Sequence, residues 1–328
     1  INVDSGPRFT FGQASVTPLP PEFALPEEFA PDRTARTARI ERAVGSTLNS
    51  WRDLGYAKAR VAGQRATARH SDNKLDVAVT LDTGPQLRFG SLIITGNEDV
   101  RTDRILEIAG LPSGEIYAPE EIDKAEQRLR RTGTFASVAM AQADEFNSDL
   151  TLDITGQISE AKPRRFGAGI EVSTIEGLTL SSFWLHRNWL GGAERFRVEG
   201  EIAGIEGETG GTDYALRGTF TRPATFGADT DFFIRTELSR EYTLLTLPLD
   251  VTLERRDNPT DAKSGYYLNA ELTPFVSIVG DVNGGRLYGD TRGYYTVGER
   301  QNLTFAARGQ FGSVLSAGVD EAPADFLF

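Results

Sequence analysis

The stretch LDTGPQLRFGSLII, residues 81–94, repeats VDSGPRFTFGQASV, residues 3–16, and this duplication decides how the first half of the chain is read. Gly6 falls on Gly84, Pro7 on Pro85, Phe11 on Phe89 and Gly12 on Gly90, a constant offset of 78. The same offset carries Trp51 onto Leu129 and Gly55 onto Gly133, so it holds at both ends of a module. A shift that stays constant at both ends marks one module stated twice.

Each copy reads as a strand, a helical stretch and two strands. In the second copy, QLRFGSLIITGN alternates and closes on Gly96-Asn97, as a strand does. Val100, Ile105, Ile108 and Ala109 then form an apolar helix face, with Pro112 as its stop. A second helix begins at Pro119 with Glu120 and Glu121 in its first turn and ends at Gly133; Ile122, Ala125 and Leu129 make its buried stripe. Two strands follow, the last alternating Leu150, Leu152, Ile154. In the first copy the helix stripe is Ile40, Val44, Leu48 and Trp51, and the Pro-rich TPLPPEFALPEEFAPD reads as an irregular surface loop. INVDSGP corresponds to the last strand of a module, which makes residues 1–7 the tail of a preceding copy, 8–85 one module and 86–161 the next.

Composition narrows the chemistry. The chain of 328 residues has no cysteine, two histidines far apart in sequence (His70 and His186) and a net charge of −12. Thiolate metal sites and disulfides are excluded, a His-based metal or catalytic centre is not expected, and no basic face for nucleic acid is expected. Carboxylates in NEDVRTD and PEEID suit helix starts and solvated faces, and Gly167-Ala168-Gly169 lacks the Lys-Ser/Thr of a phosphate loop. We therefore expect no enzyme, no cofactor and no metal. No apolar run reaches the length of a membrane helix, which leaves β-barrels open.

After Lys162 the texture changes to alternating strands of about ten residues, a length suited to a tilted membrane strand. Phe196, Val198, Gly200 and Ile202 oppose Arg195, Arg197, Glu199 and Glu201; Tyr266, Leu268, Ala270 and Leu272 oppose Tyr267, Asn269, Glu271 and Thr273. A soluble sandwich also alternates, but a charged second face and aromatics near strand ends (Trp184, Trp189, Phe226, Tyr242, Tyr294, Tyr295) favour a barrel with interfacial girdles. Roughly nine strands can be counted, from RRFGAGIEVST to LTFAARGQFGS. Single-chain barrels close with an even number and cannot leave an edge in lipid, so either the chain is part of a longer protein or the barrel reading fails.

The two modules, with LRFGSLIITGN and GEIYAPEEIDKAEQRLRRTGTFASVAM, resemble POTRA domains, and RRFGAGIEVSTIEGLTLSSFWLHRNWLGGAERFRVEGEI with LTLPLDVTLERRDNPTDAKSGYYL resembles the barrel of the POTRA-plus-barrel outer-membrane assembly superfamily. The fold class expected is α+β POTRA modules (β-α-α-β-β) followed by an antiparallel transmembrane β-barrel, incomplete in this chain, with residues 162–328 its N-terminal part. Three departures from the superfamily's pattern are expected: Ala262 replaces a usual proline, a small change in a turn; more seriously, a strand pair is expected to be missing near 242–243; and the superfamily's Arg-Gly-Phe/Tyr lumen-loop motif would fall after Phe328. The resemblance implies an outer-membrane location with periplasmic modules, contact with outer-membrane lipid, unfolded β-barrel or autotransporter clients, and a periplasmic partner of the TamB type. It also implies a barrel hairpin motif at Arg256, Asp257, Asn258, Pro259 and Gly265, and a lateral seam on the first barrel strand, Arg165, Phe166, Gly167, Ala168, Gly169 and Ile170. Gly167 and Gly169 either weaken that strand or simply make room for bulky neighbours. Ser137, Val138, Ala139 and Met140 are the candidate module edge for an added client strand.

Overall fold

The computed structural model of the protein describes residues 7–174, 177–205, 211–239, 244–277, 283–297 and 303–316. The expectations made for residues 1–6, for Tyr242 and the 242–243 junction, and for the chain beyond 316 lie outside the described residues. Backbone proximity divides the chain into two compact units: Ile1–Ile93 with Leu111–Lys124 and Met140–Gly156, and Ile94–Gly110 with Ala125–Ala139 and Gln157–Phe328.

The first copy consists of β1 (Thr10–Thr17), α1 (Thr37–Asp53), β2 (Arg60–Arg69) and β3 (Lys74–Asp82). Its sheet order is β1-β3-β2, with β1 parallel and β2 antiparallel to β3. The core gathers Phe11, Val16, Ile40, Ala43, Val77, Val79 and Leu81, with Val44, Leu48 and Trp51 packed at its margin. One residue corrects the sequence reading. Phe29, within the Pro-rich segment, is 2% exposed and meets Phe11 edge-on at 5.2 Å. Its backbone is irregular as expected, but the segment contributes a core side chain, a burial that stabilises by roughly 1.5–3 kcal/mol. Trp51 Nε1 donates to the Pro18 carbonyl (3.1 Å), fastening the same segment to α1.

The second copy consists of β4 (Arg88–Thr95), α2 (Thr102–Ala109), α3 (Pro119–Arg131), β5 (Phe135–Gln142) and β6 (Thr151–Glu160), with sheet order β4-β6-β5. Val100, Ile105, Ile108 and Ala109 are buried, as are Ala125 and Leu129. α2 stops two residues before Pro112, at Gly110, which takes the left-handed conformation (φ 58°). Leu150 departs from the expected alternation. It lies outside β6, 44% exposed at φ 62°, and the buried series is Leu152, Ile154, Gly156 and Ile158. The turn before β6 uses Leu150, so the two-residue period begins only at Thr151.

The repeat has a physical basis that the glycines expose. Gln13 N–H donates to Asp76 Oδ1 at 2.7 Å, and Ser91 N–H donates to Asp153 Oδ1 at 2.7 Å. In each copy a carboxylate from the last strand reaches into the first strand beside a glycine. A Cβ on Gly12 would lie 2.1 Å from Asp76 Oδ1, and one on Gly90 would lie 2.2 Å from Asp153 Oδ1. In the first copy this coincides with a register shift between Phe11 and Ala14. The glycine is conserved between the copies because the carboxylate occupies the space a side chain would need.

The remaining strands form one antiparallel sheet: β7 (Arg164–Ser173), β8 (Gly177–His186), β9 (Arg195–Ile205), β10 (Asp213–Arg222), β11 (Thr230–Ser239), β12 (Leu244–Thr246), β13 (Leu249–Glu254), β14 (Gly265–Ser277), β15 (Asn283–Val297) and β16 (Leu303–Ser316). Neighbours follow chain order from β7 to β16, and β12 and β13 occupy one position. They are a single strand interrupted at Leu247-Pro248: Thr230 stands opposite Leu253 and Leu238 opposite Leu245 in one continuous register. Pro248 has no N–H to give, and Leu247 N–H donates to the Pro274 carbonyl at the break.

Cross-strand pairing transmits the alternation across the whole sheet. Phe166 faces Trp184, Val198 faces Trp184 from the other side, Leu216 faces Leu238, and Tyr295 faces Phe305. This face is apolar and uncovered: Phe166, Ile170 and Val172 are 71%, 75% and 78% exposed. A sandwich would bury it under a second sheet, and none lies over it among the described residues. So broad an apolar surface, alternating strand by strand with a charged face, is the pattern of a membrane barrel. The other face is charged and internally paired. Asp290 accepts from Arg292 (2.6 Å) and Arg308 (2.8 Å), and Glu271 meets Arg286 (3.4 Å).

Candidate functional site

Two strand edges and one turn were expected to matter, and the structure places each. β7 is an edge strand: among the described residues it pairs with β8 alone, from Arg164 opposite His186 to Ser173 opposite Gly177. The opposite edge is β16. Gly167 sits beneath the Phe183 ring, where an added Cβ would lie 2.3 Å from ring carbon Cε1. The Arg197 guanidinium stacks on that ring at 4.1 Å from its centroid, with Arg165 at 5.7 Å. Gly169 stands by Ser181, whose Oγ would be 2.8 Å from an added Cβ. Gly167 therefore makes room for a bulky neighbour and, in the same act, leaves β7 without a side chain at that position of the charged face. A polar trough of about 510 Å³ opens here, lined by Arg165, Gly167, Gly169, Phe183, Arg197 and Glu199 among others.

β5 is likewise an edge of its sheet. Ser137 and Ala139 are exposed, Val138 is buried, and Met140 is half-buried. The carbonyl of Val138 already accepts from Arg130 Nη2 at 2.7 Å, so this edge is partly capped by α3. β2, the edge of the first copy, is exposed at all ten positions and presents Arg60, Arg65 and Arg69. Sequence reasoning passed over it, although its small and charged residues, without a buried face, were a visible signal.

The Arg256–Gly265 turn joins β13 to β14. Asp257 Oδ1 accepts from the N–H groups of Asn258 (2.9 Å), Lys263 (2.9 Å) and Ser264 (3.1 Å). Burial pushes this carboxyl up, but the three N–H donors outweigh it and hold Asp257 below the usual carboxylate range. Asn258 Oδ1 caps Thr260 and Asp261 N–H (2.9 and 3.3 Å). Arg256 grips Glu254 through two bonds (2.7 and 2.6 Å), reaches the Pro259 carbonyl (3.1 Å) and stacks on Tyr267 at 5.1 Å. Gly265, at φ 95°, would drive a Cβ to 2.0 Å from the Arg255 carbonyl. This motif is a turn tied by its own side chains.

Sequence reasoning missed the polar anchor that holds helices of the second copy to the sheet's turns within one unit. Buried Arg128 forks onto Asp229 through Nε (2.6 Å) and Nη2 (3.2 Å), while its Nη1 donates to the Ala109 carbonyl (3.0 Å). Arg255 approaches Asp229 from the other side (2.8 Å), and Arg131 pairs with Asp231 (3.4 Å). Buried Arg104 donates to the Pro223 carbonyl (2.7 Å) and pairs with Glu107. Thr134 Oγ1 donates to the Arg187 carbonyl (2.8 Å), and Arg101 N–H to the Gly191 carbonyl (2.9 Å). No local pattern pairs residues about a hundred positions apart, so the sequence held no signal for it.

Comparison with known proteins agrees with this architecture. The POTRA family (surface antigen variable number repeat) matches residues 87–161, and the Omp85 superfamily domain matches residues 233–328. Outer membrane protein assembly factor BamA of Nitratidesulfovibrio vulgaris is 22% identical over 190 residues, 58% of this chain and 23% of that protein. The chain thus spans under a quarter of that curated relative's length. Among solved structures, BamA from Haemophilus ducreyi lacking POTRA domains 1–3 superposes with a TM-score of 0.53 at 15% identity, covering 98% of this chain and 73% of that one. CdiB from Escherichia coli gives 0.54 at 13% identity, covering 94% and 60%. At such identities the structures speak for the fold alone. The two domain matches, with the repeated modules and the uncovered antiparallel sheet, show that the chain belongs to the POTRA-plus-barrel Omp85 superfamily.

Proposed function

We propose that the protein to which this chain belongs inserts or secretes β-rich clients at the outer membrane, by pairing client strands rather than by covalent catalysis. Members of this superfamily sit in the outer membrane with their POTRA modules in the periplasm. The observation that carries the reading is β7: an edge strand with one partner among the described residues, two glycines at its centre and an apolar face toward lipid. A nascent strand pairing there satisfies its backbone groups while its apolar side chains meet the membrane. The exposed edges β2 and β5 supply earlier docking positions for extended segments in the periplasm.

Within the superfamily we favour a TamA-like role, with autotransporters among the clients and a TamB-type periplasmic partner, on the strength of the sequence resemblance. The test is depletion of the complete protein followed by quantification of the outer-membrane proteome. Loss of a subset of barrel proteins in viable cells supports the TamA-like role. Loss of nearly all barrels with death makes it a BamA-like general insertase, and loss of one secreted protein a two-partner pore. An unchanged proteome and secretome would refute assembly and leave a porin-like structural barrel.

A further inference from the structure

A cavity of about 600 Å³ opens where the chain leaves the second module and enters β7. Lys162, Arg164, His186 and Arg187 line it together with Asp99 and Glu160. The acidic side is partly spent: Glu160 Oε1 accepts from the N–H groups of residues 98, 99 and 100 at 2.8, 3.1 and 2.9 Å. Arg187 Nη1 donates to the Lys162 carbonyl at 2.8 Å, which draws the two basic residues together. Lys162 and Arg164 are exposed, and neither has a salt-bridge partner among the described residues.

The neighbours of this basic pocket give its ligand. Arg164 and His186 are paired positions at the end of the apolar face, one step from the Phe166–Trp184 pair. Beside them Trp184, His186, Trp189 and Phe196 form an aromatic cluster, with Trp189 5.8 Å from Trp184 and 5.1 Å from Phe196. Trp189 and Leu190 are exposed. Aromatic rings of this kind settle at the headgroup level, and unpaired cations beside them meet lipid phosphate. The turn that carries Trp189 is hydrogen-bonded to Arg101 and Thr134 of the second module, so this is the module-side, periplasmic end of the sheet.

We propose that Lys162, Arg164 and Arg187 form a binding site for the phosphate of an anionic phospholipid in the periplasmic leaflet, at the foot of the edge strand β7. The inference rests on the sheet lying in the membrane, and a folding control separates the two. The complete protein is reconstituted in vesicles of phosphatidylcholine with or without phosphatidylglycerol, extracted gently, and its retained lipid identified by native mass spectrometry. Each cation near an anionic surface contributes roughly fivefold, so K162Q/R164Q is expected to lose about tenfold or more of the retained phosphatidylglycerol. K162R/R164K, which keeps both charges, is expected to retain it. Heat-modifiable gel migration, unchanged in all three proteins, certifies the barrel. Equal retention of both lipids by the unaltered protein, or undiminished phosphatidylglycerol in a folded K162Q/R164Q, would overturn the proposal. Displacement of the lipid by excess inorganic phosphate would overturn the lipid source and leave a soluble-anion site.

Discussion

Removing Asp229 tests the buried anchor between α3 and the sheet's turns. Asp229 takes both forks of Arg128, and both side chains are about nine-tenths buried, so Asp229→Ala leaves a buried guanidinium without its anion. Breaking a buried pair from one side costs about 3–5 kcal/mol. The lower end applies, because Arg128 keeps the Ala109 carbonyl and Arg255, the second partner, is largely solvated. We expect a loss of about 3 kcal/mol, which lowers the urea midpoint by about 1 M or more. The assay is equilibrium unfolding in micelles, followed by the fluorescence of Trp184 and Trp189 in a Trp51→Phe background. The double variant Arg128→Met/Asp229→Leu removes both charges together and is expected to recover most of the loss. A coupling below about 0.5 kcal/mol in the full cycle would refute a specific ion-pair anchor.

Three further outcomes are expected. Gly167→Val forces the Phe183 ring off its seat and costs about 1–3 kcal/mol. The folded band on heat-modifiable gels should weaken and Phe183→Ala should restore it, whereas Gly169→Val meets only a rotatable Ser181 hydroxyl and should be milder. Asp153→Ala removes the acceptor for the solvent-accessible Ser91 N–H and should destabilise the second module by about 0.5–1.5 kcal/mol, measured by amide exchange of Ser91; unaltered protection there contradicts the bond. For Asp257 the folded pKa is lowered, so its contribution is present above the ordinary carboxylate value of about 4 and is lost as pH falls through the folded value. Protease cutting of the 255–264 turn should therefore rise on acidification, and Asp257→Asn should show the raised cutting at every pH; an Asp257→Asn turn as resistant as the parent at neutral pH would sink the reasoning.

What was legible in the sequence was whatever a short period records. The offset of 78 predicted two modules, and β1 and β4 fall at that offset residue for residue, Thr10–Thr17 and Arg88–Thr95. Alternation in β9 and β14 gave two faces because antiparallel pairing copies parity from strand to strand. Phe29 was not legible, since a lone aromatic among prolines has no period to betray its burial. Leu150 was misread because a left-handed turn residue and a strand residue look alike in an apolar list. The Arg128–Asp229 anchor was hidden because α3 carries several basic residues at its end and only tertiary structure selects one. At the edge strand the glycines were visible, but the Phe183 ring that explains Gly167 was not.

The central claim is that a client strand pairs along β7. The chain has no cysteine, so once any cysteine elsewhere in the complete protein is replaced, a single Ala168→Cys can be oxidised against single cysteines walked along the terminal strand of a stalled client. The account predicts a disulfide at one client position, the one opposite Ala168 in a single register and facing lipid after release, with none at its sequence neighbours. Assembly proceeding with no β7 crosslink, while cysteines on β16 alone capture the client, would contradict it.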